Sequence, residues 1–320
     1  MNRILVVNLN LAIDKTAVVG RLCPGGIHRV AKVVTLPGGK GVNVARALQT
    51  LDCNAVLTGL VAGHNGRWIT EALAREGLRS VCVPFSPGES RLCFSAVDKN
   101  GVSTDFNEEG PIISAATANK FCRVFEKNLR DCDCVIFSGR LCAGLKPDFF
   151  AGLIARVKTA GKLTALDTSG EPLKKSLAAG PTLIKINSEE FRFACGKKLS
   201  QTALMNWYKK QYPRGTRYII ITDGPRPALA ITPESLWRCT PPAIKVVTPV
   251  GAGDSFMAGV VCGFAKHLSR QDCVRLGAGA SVSDCLSVGA GIVDKKQCMH
   301  YAKTVRLEKL ASFEACRWDR

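Results

Sequence analysis

The chain has 320 residues, of which 46% are hydrophobic and 22% charged, and its formal net charge is +18. These proportions are those of a folded globular protein, and they exclude a disordered chain and a fibre. The length allows one large α/β domain or two smaller ones. The apolar run at residues 4–7 is too short for a secretory signal or a membrane span. We therefore expect a cytoplasmic protein without a membrane partner.

The positive charge does not predict a nucleic-acid partner, because lysine and arginine are spread along the whole chain without interleaved aromatic residues. A basic surface does suit the attraction of phosphorylated metabolites. The 15 cysteines stand singly in apolar stretches, and the only close pair is Cys132 and Cys134. We predict reduced, packed thiols in preference to disulfides or metal ligands.

Short runs with β propensity alternate with helical segments along the chain. In chain order, we predict strands near residues 3–9, 55–61, 134–139, 162–168, 182–187 and 217–222, and helices near residues 67–76, 113–130 and 147–161. This alternation predicts an α/β fold with a mainly parallel central sheet and helices on both faces. In such a sheet, ligands bind beyond the carboxyl ends of the strands.

Residues 15–35 and 91–106 interrupt this alternation, since they combine strand-like runs with glycine, proline and asparagine turns. We predict that they form a small separate β-sheet that acts as a lid over a cleft. No segment of biased composition divides the chain, so we expect a single domain over residues 1–320 that includes the lid.

A first glycine cluster lies in LPGGKGVNVARAL, residues 36–48, directly before a helical pattern. It is not a P-loop, because that motif needs Ser or Thr after its lysine and Gly41 follows Lys40 here. A flexible turn that carries a cation at the start of a helix indicates a different ligand.

A second glycine cluster, VGAGD at residues 250–254, joins a strand-like run to an apolar helix. Phe256 stands where a dinucleotide-binding motif needs its third glycine, so that motif is excluded. The first amides of a helix bind anions, and a nearby carboxylate can accept the proton of a hydroxyl, so the cluster suits phosphoryl transfer. The alternative is that Asp254 only caps the helix.

The stretch IKINSEEF, residues 184–191, places Asn187 at the end of a strand and Glu190 one turn into the next helix. Oxygen ligands at this spacing could orient Mg²⁺, through its waters, beside the phosphates of a nucleotide. A capped helix with acidic residues in its first turn explains the same residues without any function.

Three cations are candidates for a second anion site: Arg29 and Arg91 in the predicted lid, and Lys40 in the first glycine cluster. Arginine and lysine are mostly solvated surface residues, which is the alternative for each of them. If the lid closes over the cleft, the three would converge on a substrate that already carries a phosphate.

The motifs PGGKGVNVARAL and TPVGAGDSFMAGVVCGF, in this order, resemble the two signatures of the phosphofructokinase B (pfkB) family of carbohydrate kinases, which have a ribokinase-like fold. The resemblance covers nearly the whole chain and includes NLNLAID and LIKINSEE. The stretch DFNEEGPIIS most resembles the branch of 1-phosphofructokinase and tagatose-6-phosphate kinase. The resemblance implies ATP as the phosphoryl donor and Mg²⁺ as a cofactor.

The resemblance also implies a role for each matching residue. Asp254 is the expected catalytic base, and the expected anion hole consists of Gly251, Ala252 and Gly253. The expected substrate-binding residues are Asp14, Arg29, Gly39, Lys40, Asn43 and Arg91. The expected nucleotide-binding residues are Asn187, Thr222, Gly224 and Gly253, and Glu190 is expected to bind Mg²⁺ through water.

By the same resemblance, the expected reaction converts fructose 1-phosphate to fructose 1,6-bisphosphate. Tagatose 6-phosphate is the alternative acceptor, followed by fructose 6-phosphate and by an unphosphorylated sugar or nucleoside. A sugar-phosphate sensor without catalysis is the alternative of a different class. We also expect a homodimer that forms through the lid, and no nucleic-acid partner. One departure from relatives is GRLCAG in place of a GSLP turn, where Arg140 offers a further phosphate contact.

Overall fold

A computed structural model of the protein describes residues 3–30 and 33–313. In this part of the chain the larger sheet has ten strands, in the spatial order β14 (Arg306–Ser312), β13 (Ser235–Thr240), β12 (Arg226–Ile231), β11 (Tyr218–Asp223), β10 (Leu183–Asn187), β9 (Leu163–Asp167), β8 (Cys134–Ser138), β1 (Ile4–Asn8), β4 (Ala55–Ala62) and β5 (Ser80–Phe85). The strands from β11 to β5 are parallel, and those from β12 to β14 are antiparallel. The predicted mainly parallel sheet is confirmed.

Helices cover both faces of this sheet. They are α1 (Lys40–Thr50), α2 (Gly63–Arg75), α3 (Ala115–Leu129), α4 (Phe149–Thr159), α5 (Gly170–Leu177), α6 (Ser188–Cys195), α7 (Gln201–Gln211), α8 (Ala252–Ala265), α9 (Arg270–Asp284) and α10 (Lys295–Thr304). Alternate strand residues enter opposite hydrophobic cores: Ile4 and Val6 pack with α1, α2, α8, α9 and α10, while Leu5 and Val7 pack with α3 to α7. Both faces of the sheet are therefore buried, as parallel strands require.

A second, four-stranded sheet lies outside this stack, in the order β3 (Val33–Gly38), β2 (Ala12–Val18), β6 (Arg91–Val97) and β7 (Ser103–Asn107). It comes from the two regions in which a small sheet was predicted. The first region differs in detail, because β2 begins at Ala12 and residues 19–30 contain no strand. That segment includes CPGG, which lacks the alternating pattern that a strand needs. Its role as a lid stays a prediction.

The cysteines in the described ranges are free thiols, and Cys132 and Cys134 are buried. Burial raises the pKa of both thiols, so they remain protonated and chemically quiet. Within the same ranges, no helix has the length and apolar character that crossing a membrane requires.

The carboxyl edge of the larger sheet brings polar side chains into register. Ser138 at the end of β8 is aligned with Asp167 at the end of β9, and Asn187 at the end of β10 is aligned with Thr222 in β11. Helices α1 and α8 contact each other on one face of the sheet and belong to the same core. This edge, together with the starts of the two helices, forms the candidate site.

Candidate active site

Helix α1 starts at a glycine that no other residue could replace without displacement of its neighbours. Gly39 has a φ of 102°, and a β-carbon there would lie 2.5 Å from Asn8 Nδ2. The Gly39 N–H donates to Asp14 Oδ2 over 3.2 Å. Burial raises the pKa of Asp14, while this N–H and the nearby Arg91 guanidinium oppose the rise. The first glycine motif thus holds a carboxylate against the start of α1.

Helix α8 brings a second carboxylate to the same place. Asp254 lies in its first turn, is only 5% exposed, and accepts a hydrogen bond of 2.9 Å from Asn43 Nδ2 of α1. Burial raises the pKa of Asp254 to about 7, against the effect of Lys40 and with a contribution from the Asp167 carboxylate. A carboxylate with this pKa is able to take up a proton near neutral pH.

Two lysines share one buried carboxylate beside Asp254. Asp167 is fully buried and accepts hydrogen bonds from Lys40 Nζ at 2.8 Å and from Lys185 Nζ at 2.7 Å. Lys40 Nζ also lies 3.5 Å from Glu190 Oε1. Burial alone would raise the pKa of Asp167, but the two ammonium groups hold it below its ordinary value. Burial alone would lower the pKa of Lys40, but the carboxylates around it raise it, so the pairs remain ionised.

Lys185 also touches the second glycine motif. A β-carbon at Gly253 would lie 2.7 Å from Lys185 Nζ, so glycine leaves room for this ammonium beside the start of α8. In the described structure the backbone N–H groups of Gly251 and Gly253 have no acceptor, whereas that of Ala252 donates to the Pro249 carbonyl over 3.3 Å. Unpaired amides beside a fixed cation at a helix start form an anion-binding arrangement.

Asn187 and Glu190 form the capping box that was the alternative to a functional role. The Asn187 side chain accepts from the Glu190 N–H, and Glu190 Oε2 accepts from the Asn187 N–H, both over 2.8 Å. The other oxygen of Glu190 faces Lys40, so this carboxylate connects the nucleotide side of the predicted site with α1. Two other residues were predicted to bind the nucleotide. The Thr222 hydroxyl lies 3.5 Å from the Ile186 carbonyl oxygen, and Gly224 lies in the exposed turn between β11 and β12.

No contact within the described residues brings Arg29, Lys40 and Arg91 together. Arg91 donates to the carbonyl oxygens of Asn10, over 3.3 Å, and Glu108, over 3.2 Å. Arg29 is exposed in the segment without strands, and Lys40 faces carboxylates. The expected convergence on a substrate phosphate stays a prediction for the two arginines, while Lys40 is directed toward the Asp254 side of the cleft.

Sequence reasoning missed Lys185, Arg46 and Asp284. The signal for Lys185 was present, since a lysine between Ile184 and Ile186 in a buried strand needs a carboxylate partner. Asp284 is buried, accepts from Ser255 Oγ over 2.9 Å, and has a pKa that burial raises to about 7. Its position at the end of α9 carries no sequence pattern that would have identified it.

A carboxylate, two lysines and two helix starts meet at the carboxyl edge of the larger sheet, an arrangement that suits phosphoryl transfer. A family model described as "pfkB family carbohydrate kinase" matches residues 1–297. The chain therefore belongs to the pfkB family of carbohydrate kinases, which confirms the resemblance read from its motifs. Kinases of this family use ATP as the phosphoryl donor.

Relatives agree with this membership over nearly the full length. The chain is 27% identical over 313 residues to 1-phosphofructokinase of Vibrio cholerae serotype O1, covering 96% of this chain and 97% of that one. The structure of phosphofructokinase-2 from Escherichia coli in complex with potassium has a TM-score of 0.85 at 24% identity, covering 95% and 99%. A possible 1-phosphofructokinase from Thermotoga maritima also has a TM-score of 0.85, at 21% identity, covering 97% and 100%. The last two establish the shared fold.

Proposed function

We propose that the protein transfers the γ-phosphoryl group of ATP to a hydroxyl of a phosphorylated ketohexose, with fructose 1-phosphate as the preferred acceptor. The observation that carries the proposal is the contact of Asp254 with Asn43 beside the Lys185 ammonium and the unpaired Gly253 amide. The name of the Vibrio cholerae relative, 1-phosphofructokinase, supports the choice of acceptor.

Asp254 is the general base in this proposal. Its Oδ2 accepts from Asn43, which leaves Oδ1 to receive the proton of the acceptor hydroxyl. The hydroxyl oxygen then forms a bond to the γ-phosphorus as the bond from that phosphorus to the ADP oxygen breaks. The proton ends on Asp254, and the negative charge ends on ADP.

The start of α8 and its lysine would stabilise the phosphoryl group in transit. The N–H groups of Gly251 and Gly253 have no acceptor and the Lys185 ammonium lies beside Gly253, so these donors would act without reorganisation. We assign Lys40 to the same anion, because its ammonium lies beside Asp167 and Glu190 at the Asp254 side of the cleft. Ala252 contributes its small side chain, since its N–H is already bonded.

The sugar would lie between the start of α1 and the small sheet. Asp14 and Asn43 offer hydrogen bonds to hydroxyls, and Gly39 lets the substrate approach the backbone closely. The phosphate that the acceptor already carries would face Arg91 and, on closure of the sheet, Arg29. An arginine pair provides the planar donors that suit a phosphate.

The residues present fit a magnesium ion that one carboxylate would hold through water beside the phosphates of the nucleotide. Glu190 has one oxygen that is not used by the capping box, and the Lys40 ammonium neighbours it. Asn187, Thr222 and Gly224 would border the nucleotide. When bound, Mg²⁺ neutralises phosphate charge, and the role of the chain is to hold it near Glu190 through water.

One assay tests the proposal: ADP release by the purified protein with ATP and Mg²⁺ against fructose 1-phosphate, fructose 6-phosphate, tagatose 6-phosphate, ribose and adenosine. We expect the highest kcat/KM with fructose 1-phosphate. A preference for ribose or adenosine, which carry no phosphate, would contradict the proposed binding of the acceptor's phosphate by Arg91 and Arg29. Binding of a sugar phosphate without any ADP release would favour the sensor alternative.

We further propose that the small sheet pairs two copies of the chain. Its strands expose apolar side chains that a monomer would normally bury, namely Val18 at 50%, Val33 at 38% and Phe106 at 61%. Light scattering after size exclusion should give twice the chain mass, and Phe106→Asp should reduce it to the chain mass. A monomeric parent protein would contradict the pairing.

A further inference from the structure

Arg46 is a buried cation whose role the sequence did not reveal. It lies on α1, one turn after Asn43, and is 7% exposed. Each nitrogen of its guanidinium donates a hydrogen bond within the protein. Removal of a guanidinium charge from water is energetically unfavourable unless the charge is paired and hydrogen-bonded. A buried arginine with this many partners therefore indicates a structural or functional role.

Four elements meet at this guanidinium. Glu76, at the end of α2, pairs with Nε over 2.7 Å, and the carbonyl oxygens of Pro37 in β3 and Ala290 after α9 accept over 2.6 and 2.7 Å. These contacts leave the planar group one orientation. One nitrogen, Nη1, then lies 3.3 Å from Asn43 Oδ1.

The contact with Arg46 decides which end of the Asn43 amide faces Asp254. Asn43 Oδ1 accepts from Arg46, so its Nδ2 points the other way and donates to Asp254 Oδ2 over 2.9 Å. A reversed amide would place two donors against each other at Arg46 and two acceptors against each other at Asp254. Both neighbours therefore select the same amide orientation.

We propose that Arg46 is a positioning residue, which acts through the Asn43 amide to hold the Asp254 carboxylate ready for the acceptor hydroxyl. The inference rests on the proposed function of Asp254 as the base. The loop after α9 reinforces the arrangement, since a β-carbon at Gly291 would lie 2.7 Å from Asn43 Cα and one at Gly251 would lie 2.7 Å from the Gly291 nitrogen. The loop thus packs closely against the starts of both α1 and α8 and fixes their relative position.

The arrangement predicts a change in pH dependence when the Asn43 amide is released. The charged groups that face Asp254 are Lys40 from α1, Asp167 from β9, Lys185 from β10 and Asp284 from α9. None of these changes when Arg46 is replaced. Loss of the amide donor removes a contribution that lowers the pKa of Asp254, so its protonated form persists to higher pH.

The test compares Arg46→Lys with Glu76→Gln. Lysine keeps the charge but cannot reach Glu76, Ala290 and Asn43 together, because it lacks the guanidinium fork. For Arg46→Lys we expect kcat to fall roughly 10- to 100-fold, a usual effect of a misplaced catalytic group, and KM to change less. In a plot of kcat against pH, the acid limb should move to higher pH. Glu76→Gln disturbs the ion pair with Arg46 without touching Asn43, so it should lower thermal stability yet leave kcat within about threefold and the acid limb in place.

A second readout does not depend on turnover. In protein labelled with ¹³C at aspartate side-chain carbons, the Asp254 signal is assigned by its loss in Asp254→Asn and titrated in each variant. We expect a higher titration midpoint in Arg46→Lys than in the parent protein and in Glu76→Gln. Equal midpoints, or equal displacement in both variants, would overturn the positioning role.

The two proposals can fail separately. If the parent protein phosphorylates none of the sugars, the proposed function fails, and the carbon titration still decides whether Arg46 sets the state of Asp254. If Arg46→Lys does not fold, Asn43→Ala can replace it, because it removes the amide that links Arg46 to Asp254. This variant should also raise the titration midpoint of Asp254. An unchanged midpoint in folded Asn43→Ala would refute the inference.

Discussion

Helices α1 and α8 both begin at a glycine with positive φ, yet the two starts are used differently. At α1, the space that glycine leaves is filled by the protein itself, with the Asn8 side chain at Gly39 and the Asp14 carboxylate on the Gly39 N–H. At α8, Gly253 leaves room for the Lys185 ammonium and keeps an unpaired N–H. Similar motifs thus provide one start whose glycine N–H is paired with a carboxylate and another whose glycine N–H is unpaired beside an ammonium group.

The largest expected effect concerns the carboxylate at the α8 start. Asp254→Asn should retain the fold and ligand binding, because asparagine has the same shape, but should lower kcat by roughly 10² to 10⁴, the range for a positioned general base. Steady-state turnover with the best acceptor, together with calorimetric binding, measures both. A kcat within a few-fold of the parent value would remove Asp254 as the base.

The second expected effect is on stability, and it follows from the other buried carboxylate near α8. Burial raises the pKa of Asp284 to about 7, so between pH 4 and 7 the native state holds a proton that the unfolded chain has released. This contribution to stability is complete below pH 4 and is lost as the pH rises through 7. Asp284→Asn avoids the loss and should be more stable at pH 8 by up to about 4 kcal/mol, from 1.4 kcal/mol per pKa unit.

Urea unfolding at pH 5 and pH 8 checks this prediction, since the gain should be larger at pH 8. The control is Asp272→Asn in the same helix, α9. Asp272 is exposed, and hydrogen bonds from Ser269 and Arg275 lower its pKa, so its replacement should not stabilise the protein at pH 8. Equal gains at both pH values would contradict the assignment to Asp284.

The third prediction separates the two lysines that share Asp167. Lys185 is buried and touches Gly253, whereas the Lys40 side chain is 37% exposed. Lys185→Met should lower kcat by roughly 10²-fold, the effect of one lost stabilising donor in a water-excluded site. Lys40→Met should lower it less, because solvent can partly replace an exposed charge. The reverse order in kcat would show that the anion lies nearer α1 than α8.

The smallest expected effect lies on the α1 side, at the first residue of strand β6 in the small sheet. Arg91→Ala should raise KM for the sugar phosphate about tenfold, the equivalent of one lost charge-assisted hydrogen bond of about 1.5 kcal/mol, with kcat nearly unchanged. Lys15→Ala, in the neighbouring strand β2, is the matched control for loss of a cation from the small sheet. An unchanged KM in Arg91→Ala would place Arg91 outside the substrate site.

Most of the parallel strands of the larger sheet could be predicted because they are short apolar runs that the sheet buries, whereas β5 has exposed and half-buried positions and was not predicted. The small sheet was predicted less accurately, since residues 19–30 have turn composition but no strand. The two glycine motifs pointed to the starts of α1 and α8. The sequence could not show which side chains contact each other. Lys40 binds Asp167 and Asn43 binds Asp254 only because the sheet topology brings distant segments together.

The same topology explains the charged surroundings of Lys40. Its position in the first glycine motif suggested a substrate phosphate, which stays a prediction, and the carboxylates beside it are Asp167 at the end of β9 and Glu190 in α6, both far along the chain. Arg46 was missed for a related reason. An arginine within a helical pattern is usually solvated, and only the fold reveals that Glu76 and two carbonyl oxygens enclose it.

The bond between Asn43 and Asp254 joins groups that are 211 positions apart along the chain. During synthesis, the segment with Asn43 leaves the ribosome long before the segment with Asp254, so a nascent chain has the proposed sugar-binding groups without the proposed base. Closing so long a segment also requires most of the intervening strands to be in place. Phosphorylating capacity would therefore arise in a single late step of maturation, and partly made or prematurely ended chains would consume no ATP.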